Sequence, residues 1–159
     1  MDNRRVTSDP PRIVYHKDWQ GWSDGVEFTN NIVYNDCARA VYEFGQSRNN
    51  RYAHNLFFGH HPDSEPADPH KLTADPLFAG QPGRAGRGRA SAISIYSLQT
   101  GSPARGAGVA QTDQPGNDFA RRPLWLKDGQ VDLGALAQNG FLVLEFNPRD
   151  GQSRLIQNR

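Results

Sequence analysis

A short phrase that occurs twice constrains this chain more than any other feature. Phe28-Thr29-Asn30-Asn31-Ile32-Val33-Tyr34 aligns with Tyr52-Ala53-His54-Asn55-Leu56-Phe57-Phe58, an apolar start, an Asn and an apolar triplet. The matching asparagines, Asn31 and Asn55, stand 24 residues apart. Short strand candidates lie at Ile32–Tyr34, Ala40–Phe44 and Tyr52–Phe58, separated by Asn, Asp, Gly and Ser and too short for helices. A period of this length holding several short strands predicts a parallel β-solenoid, whose coils stack at about 4.8 Å and bury inward side chains against the coils above and below. Asn31 and Asn55, at equivalent turn positions, are expected to stack as a ladder, each amide bonding its neighbour and the turn backbone for about 1 kcal/mol net per bond. The competing architecture is a β-sandwich, whose strands also recur between turn residues.

The rest of the chain narrows the function classes. Its 159 residues suit one core. Hydrophobic residues make up 36% with a mean hydropathy of −0.76, while 16 Gly and 11 Pro imply frequent turns. A net charge of +1 and a pI near 8.0 provide no field for a polyanion, so neither nucleic acid nor a membrane surface is an expected partner. The arginine-bearing stretch Ala79–Ser91 reads as a surface loop with only three arginines. Nothing approaches the roughly 20 apolar residues of a membrane span, and the start of the chain has no apolar signal core. Cys37 is the only cysteine and reads as a structural thiol.

Around the repeat, residues 1–11 form a polar lead-in ending in Asp9-Pro10-Pro11. Arg12–His16 is a β-branched run of strand length, followed by a polar loop holding Trp19 and Trp22 and by the alternating Val26-Glu27-Phe28. Beyond the repeat, His60–Lys71 is too rich in proline for regular structure. It carries His60, His61, Asp63, Glu65, Asp68 and His70, the densest ligand-like cluster, at spacings that fit no zinc motif, so no metal is assigned. Phe141–Phe146 predicts a strand, Asn147–Gly151 a turn, and the tail an edge strand.

From Asp75 onward the chain resembles a known family. DPLF at Asp75–Phe78, a Gly-rich excursion, SIYSLQTGSPARGAG at Ser94–Gly108, the DQPGND segment and VDLGA at Val131–Ala135 follow one another in order. This succession is similar to the closing section of bacterial right-handed parallel β-helix proteins of the pectin-lyase-like superfamily, and the resemblance covers roughly Val26 to Ala135. It implies an all-β fold, a right-handed parallel β-helix (β-solenoid) of few coils with a loop-rich C-terminal capping section. On that reading residues 12–135 hold the coils and closing section, and residues 136–159 form a tail with an edge strand. Asp75 is expected to cap its own turn and deliver Leu77 and Phe78 to the core, Tyr96 and Leu98 to face inward, and Gly134 to allow close backbone approach, the whole covering the open end of the stack. With few coils ahead of it, the chain reads as the C-terminal portion of a longer protein whose missing upstream coils would pair with its first one.

Family enzymes are mostly glycoside hydrolases and polysaccharide lyases, so the resemblance implies a polysaccharide or oligosaccharide partner and an extracellular or periplasmic location. Glycoside hydrolysis uses two carboxyl groups set about 5–5.5 Å or 6.5–9.5 Å apart. One period before Glu43 stands Trp19, beside Asp18, which makes Asp18 and Glu43 the expected pair, with Trp19 and Trp22 as sugar-stacking surfaces. His54 is a weaker candidate base. Lyase chemistry would lean on strand-borne cations such as Arg39 and Arg51, and a non-catalytic carbohydrate-binding or surface module is the alternative from another class. No cofactor is expected, with calcium the one ion the resemblance leaves open.

Overall fold

The computed structural model describes residues 12–15, 21–82, 94–110, 117–118, 130–134, 136, 142–147 and 152–157, the first and last two of these segments by backbone alone. Its strands are β1 (Arg12–Tyr15), β2 (Glu27–Thr29), β3 (Ile32–Asn35), β4 (Val41–Glu43), β5 (Arg51–Ala53), β6 (Leu56–Gly59), β7 (Leu142–Asn147) and β8 (Gln152–Gln157). The architecture is all-β. Strands β1 to β6 form two passes of the chain, and each strand of the first pass pairs in parallel with its counterpart in the second: β1 with β4, β2 with β5, β3 with β6. Strands β7 and β8 form an antiparallel pair, Leu142 opposite Gln157 and Asn147 opposite Gln152.

Two of the three parallel pairs keep one offset. Glu27 faces Arg51 and Ile32 faces Leu56, each pair sharing the separation of 24 residues found between Asn31 and Asn55. The backbone between strands repeats with them. Gly25 and Asn49 both have left-handed φ (71° and 56°), as do Asn30 and His54 (59° and 55°), and both pairs keep the same separation. A left-handed residue reverses the chain within two positions, so Asn30-Asn31 and His54-Asn55 each turn one strand sharply into the next. This is why the apparent single strand Tyr52–Phe58 is in fact two, β5 and β6.

The third pair departs from this offset. Tyr15 faces Glu43 across β1 and β4 at a longer separation, with a register irregularity between Arg12 and Val14. The connection from β1 to β2 is longer than that from β4 to β5, so one fixed step does not carry across it. Counting back from Glu43 to the neighbourhood of Asp18 therefore misplaces the rung. Tyr15 is the residue beside Glu43, while Asp18 and Trp19 lie outside the described residues.

Aromatic side chains fill the space between the strands of the two passes. Tyr42 meets Phe57 edge-on at 6.2 Å and stacks near Phe44, Phe44 meets Tyr52 at 5.5 Å, and Tyr52 meets Phe28 at 5.7 Å. Burial pushes the Tyr42 hydroxyl well above its ordinary pKa, with the nearby Glu65 carboxylate adding to the effect. Burial alone raises Tyr52 to about 12.

A third pass begins and is cut short. Leu72 bridges in parallel to Leu56 well before a full period has elapsed, with Phe57 N donating to Leu72 O and Leu72 N to Asn55 O. Over the missing length, side-chain oxygens stand in for strand carbonyls. Ser64 Oγ accepts from Tyr42 N at 2.9 Å. The Asp68 carboxylate accepts from the backbone N–H groups of His54, Asn55 and His70 at 3.1, 2.9 and 2.8 Å. Buried backbone donors need partners, and here residues 60–71 supply them without a full row of strands.

The closing phrases pack on a flank. Because side chains alternate along a strand, Leu56 and Phe58 share one face of β6 while Phe57 points to Tyr42 on the other. On the Leu56 face, Leu98, Ala104 and Leu133 complete a buried cluster, with Ile32, Phe58, Leu72 and Phe78 against it. The expected cover over the end of the stack is thus a layer along β3 and β6. Hydrogen bonds fasten it: the Asn30 side chain exchanges two with the backbone of Val109, Gly134 N donates to Asn30 O, and Gly106 N to Asp132 Oδ1. Gly134 (φ 87°) lies against Ile32, where a Cβ would be crowded.

Two of the expected inward residues face out. Asp75 Oδ1 does accept from Leu77 N at 2.8 Å, but the turn buries Pro76 and leaves Leu77 36% exposed with a left-handed φ of 51°. Leu98, bridged to Phe78, is buried, whereas Tyr96 is 40% exposed with its ring edge-on to Phe78.

Candidate functional site

The edge of β4 and the loop that covers it bring the most chemistry together. Ala38, Ala40, Val41, His60, His61 and Asp63 line a hollow of about 380 Å³, to which Pro62 and Ser64 contribute. The bond from Tyr42 N to Ser64 Oγ fixes the loop against the strand. Glu43 is half-buried and lies on the same face of β4 as Val41, two residues along, so it stands beside the hollow.

His61 is the best-positioned acid–base group here. Its Nδ1 lies 2.8 Å from Glu65 Oε2, and Lys71 Nζ holds the other Glu65 oxygen at 3.0 Å. The Glu65 side chain is only 7% exposed. A buried carboxylate on one imidazole nitrogen fixes the ring's orientation and directs proton exchange to the other. Spacing in the sequence placed His61 in a ligand-like cluster. The signal that would have identified it is the i, i+4 relation to Glu65 next to a proline-stiffened turn.

Asp68 and His70 of that cluster have structural partners. Asp68 is spent on three backbone N–H groups and on Asn55 Nδ2 at 2.8 Å. The His70 ring stacks on His54 at 4.3 Å between centroids. Among the described residues no three His, Cys, Asp or Glu side chains converge as a metal would require. His54 itself occupies the left-handed turn position and stands in that stack, a placement set by the turn.

Asn31 and Asn55 occupy adjacent rungs. Asn55 Oδ1 accepts from Asn31 N at 2.9 Å and from Asn31 Nδ2 at 3.3 Å, and Asn55 Nδ2 reaches Phe28 O. Asp68 adds a third rung that the repeat count could not reveal, because the shortened pass brings it 13 residues after Asn55. Trp22 is half-buried with its ring over Gly45, filling the space where a Cβ would be. Trp19 lies outside the described residues, as does Asp18.

Comparison with models of protein families gives no match to this chain, and comparison with curated proteins gives none. No helix among the described residues is long and apolar enough to cross a membrane.

Proposed function

We propose that the two stacked passes are coils of a right-handed parallel β-helix and that the protein acts on polysaccharide as a glycoside hydrolase. The observation that carries the class is the parallel pairing of three strands per pass, joined by an Asn31–Asn55 rung at a turn that recurs after 24 residues. It supports the architecture that the resemblance of the closing phrases implies. For the chemistry, the hollow beside β4 offers Asp63 as a carboxylate and His61, oriented by Glu65, as a further proton carrier, with Glu43 two residues along β4 from the lining residue Val41. Asp63 is the carboxylate on the described residues that stands with Glu43, Asp18 lying outside them. Secretion to an extracellular or periplasmic space follows from such a substrate, and calcium would be an accessory ion only.

The second reading is a non-catalytic carbohydrate-binding module, favoured by the register that sets Tyr15, not a carboxylate, beside Glu43. One experiment separates the two: turnover of plant and bacterial polysaccharides followed by release of reducing ends, for the wild type, Glu43→Gln and Asp63→Asn. The hydrolase reading expects release by the wild type and at least a 100-fold loss in each variant with unchanged melting. Binding of polysaccharide without release selects the module. Unsaturated products would select a lyase.

A further inference from the structure

The three large apolar residues that stand exposed among the described ones, Tyr34, Leu77 and Tyr96, are far apart in sequence yet converge on one flank. Tyr34 lies 5.3 Å from the ring of Phe58 and 6.2 Å from that of Phe78, and Phe78 lies 5.6 Å from Tyr96. A row of four aromatic rings therefore runs from the strand pair β3 and β6 across the closing layer. Beside it Tyr34, Asp75, Leu77, Phe78, Gln81 and Gln99 line a cleft of about 200 Å³.

The cleft is held open at a cost. Leu77 has a φ of 51°, a conformation that disfavours a branched-chain residue by about 1 kcal/mol or more. Asp75 Oδ1 and the bond from Gln99 N to Leu77 O keep it there, with its side chain outward. Gln99 Nε2 is aimed at Phe78 O at 2.9 Å, which orients its amide oxygen. Asp75 Oδ2 and the Gln81 amide take no hydrogen bond among the described residues. Aromatic faces edged by amides and a carboxylate suit a ligand that is apolar on its faces and hydroxylated around its rim.

We infer that this flank is a binding site for a neutral pyranose chain, separate from the β4 hollow and without a part in bond cleavage. The cleft is smaller than an ordinary small-molecule pocket of about 300–1,000 Å³, so it takes one ring while neighbouring rings lie on the aromatic row. The carboxylate of Asp75 in its lining disfavours uronates by repulsion. The inference rests on the reading that the protein meets polysaccharide, but not on its being an enzyme.

The test is calorimetric titration of the whole chain with cellohexaose, xylohexaose and hexagalacturonate, repeated for Tyr34→Ala, Tyr34→Phe and Tyr96→Ala. Both tyrosines are about two-fifths exposed, so the variants should fold, and melting curves check this. The inference expects at least one neutral hexamer to bind, about a tenfold loss for Tyr34→Ala or Tyr96→Ala, and retention in Tyr34→Phe. Hexagalacturonate should bind at least tenfold more weakly. Equal binding of the uronate, or neutral binding unaffected by both tyrosine variants, overturns it. If no hexamer binds while the protein still releases reducing ends from a polymer, the cleft assignment fails and the polysaccharide reading stands. Absence of both binding and release removes the two together.

Discussion

The two passes from Asp24 to Gly59 and the layer from Pro76 to Gly134 reach order by opposite routes. In the passes, one local solution is used twice: the same left-handed turn, the same parallel pairing, the same Asn, all displaced by 24 residues. Among the described residues of the layer nothing repeats. Ser102 Oγ donates to Pro76 O, Gly106 N to Asp132, and Asn30 binds Val109 across 79 residues of sequence. The passes draw on stacking of like on like, which any further copy could extend. The layer draws on single contacts that must all be present, and it is there that Tyr96 stands exposed and Leu77 is left-handed.

Residues 60–72 form the boundary between these regimes, and the largest effect is expected there. Asp68→Ala would strip acceptors from three backbone donors and from Asn55 Nδ2. Each buried unsatisfied group costs about 1–3 kcal/mol, so a total loss of about 3 kcal/mol or more should appear in urea unfolding. Asp68→Asn, which keeps one acceptor oxygen, should lose less. If the two are equal, the carboxylate is not what ends the stack.

A glycine from each region sharpens the contrast. At Gly59 φ is 99°, and a Cβ would run into the backbone carbonyl of Asn35 on the paired strand. Gly59→Ala should therefore cost about 2 kcal/mol or more. At Gly101 a Cβ would find only Leu77 Cδ1 at 4.0 Å, so Gly101→Ala should stay within about 1 kcal/mol of wild type. Thermal melts of the two variants check both.

The packing between the passes also predicts a pH response. Tyr52 rises from 10.0 to about 12 in the folded state, and Tyr42 is raised further. The unfolded chain ionises these hydroxyls first, so their contribution is fully present below about pH 10 and is lost as pH climbs through the folded values. Urea midpoints should be flat from pH 8 to 9.5 and fall above 10. Tyr52→Phe should flatten part of that fall.

The smallest effect is expected on the outer face of the passes. Arg51 and Glu27 face each other across one rung at 3.5 Å, both more than half exposed. Neutralising either should change stability by less than about 1 kcal/mol and less still in high salt.

These differences explain what could be read from the chain alone. The positions of β2 and β3 and the spacing of Asn31 and Asn55 were legible because the turn imposes the same residue types at each recurrence, whereas the break between β5 and β6 at His54 was not. Asp68 was not, because its rung arrives after a shortened pass and belongs to a different residue type. The partner of Glu43 was not, because a longer connection shifts β1 against β4 while leaving the other strands on the period. The aromatic row was half visible: Tyr34 and Phe58 occupy equivalent places in the repeat, but Phe78 and Tyr96 join them only through folding of the closing layer.

The stacking of one pass on the other is the central claim, and disulfide trapping tests it directly. In a Cys37→Ser background, Glu27→Cys with Arg51→Cys should oxidise readily, since paired strands lie about 4.8 Å apart, within disulfide range. Glu27→Cys with Asn49→Cys, displaced by two residues or about 6–7 Å along the chain, should not. Preferential formation of the 27–51 bond in the monomer is the predicted result. Equal trapping of both pairs, or preference for 27–49, would contradict the register of β2 on β5.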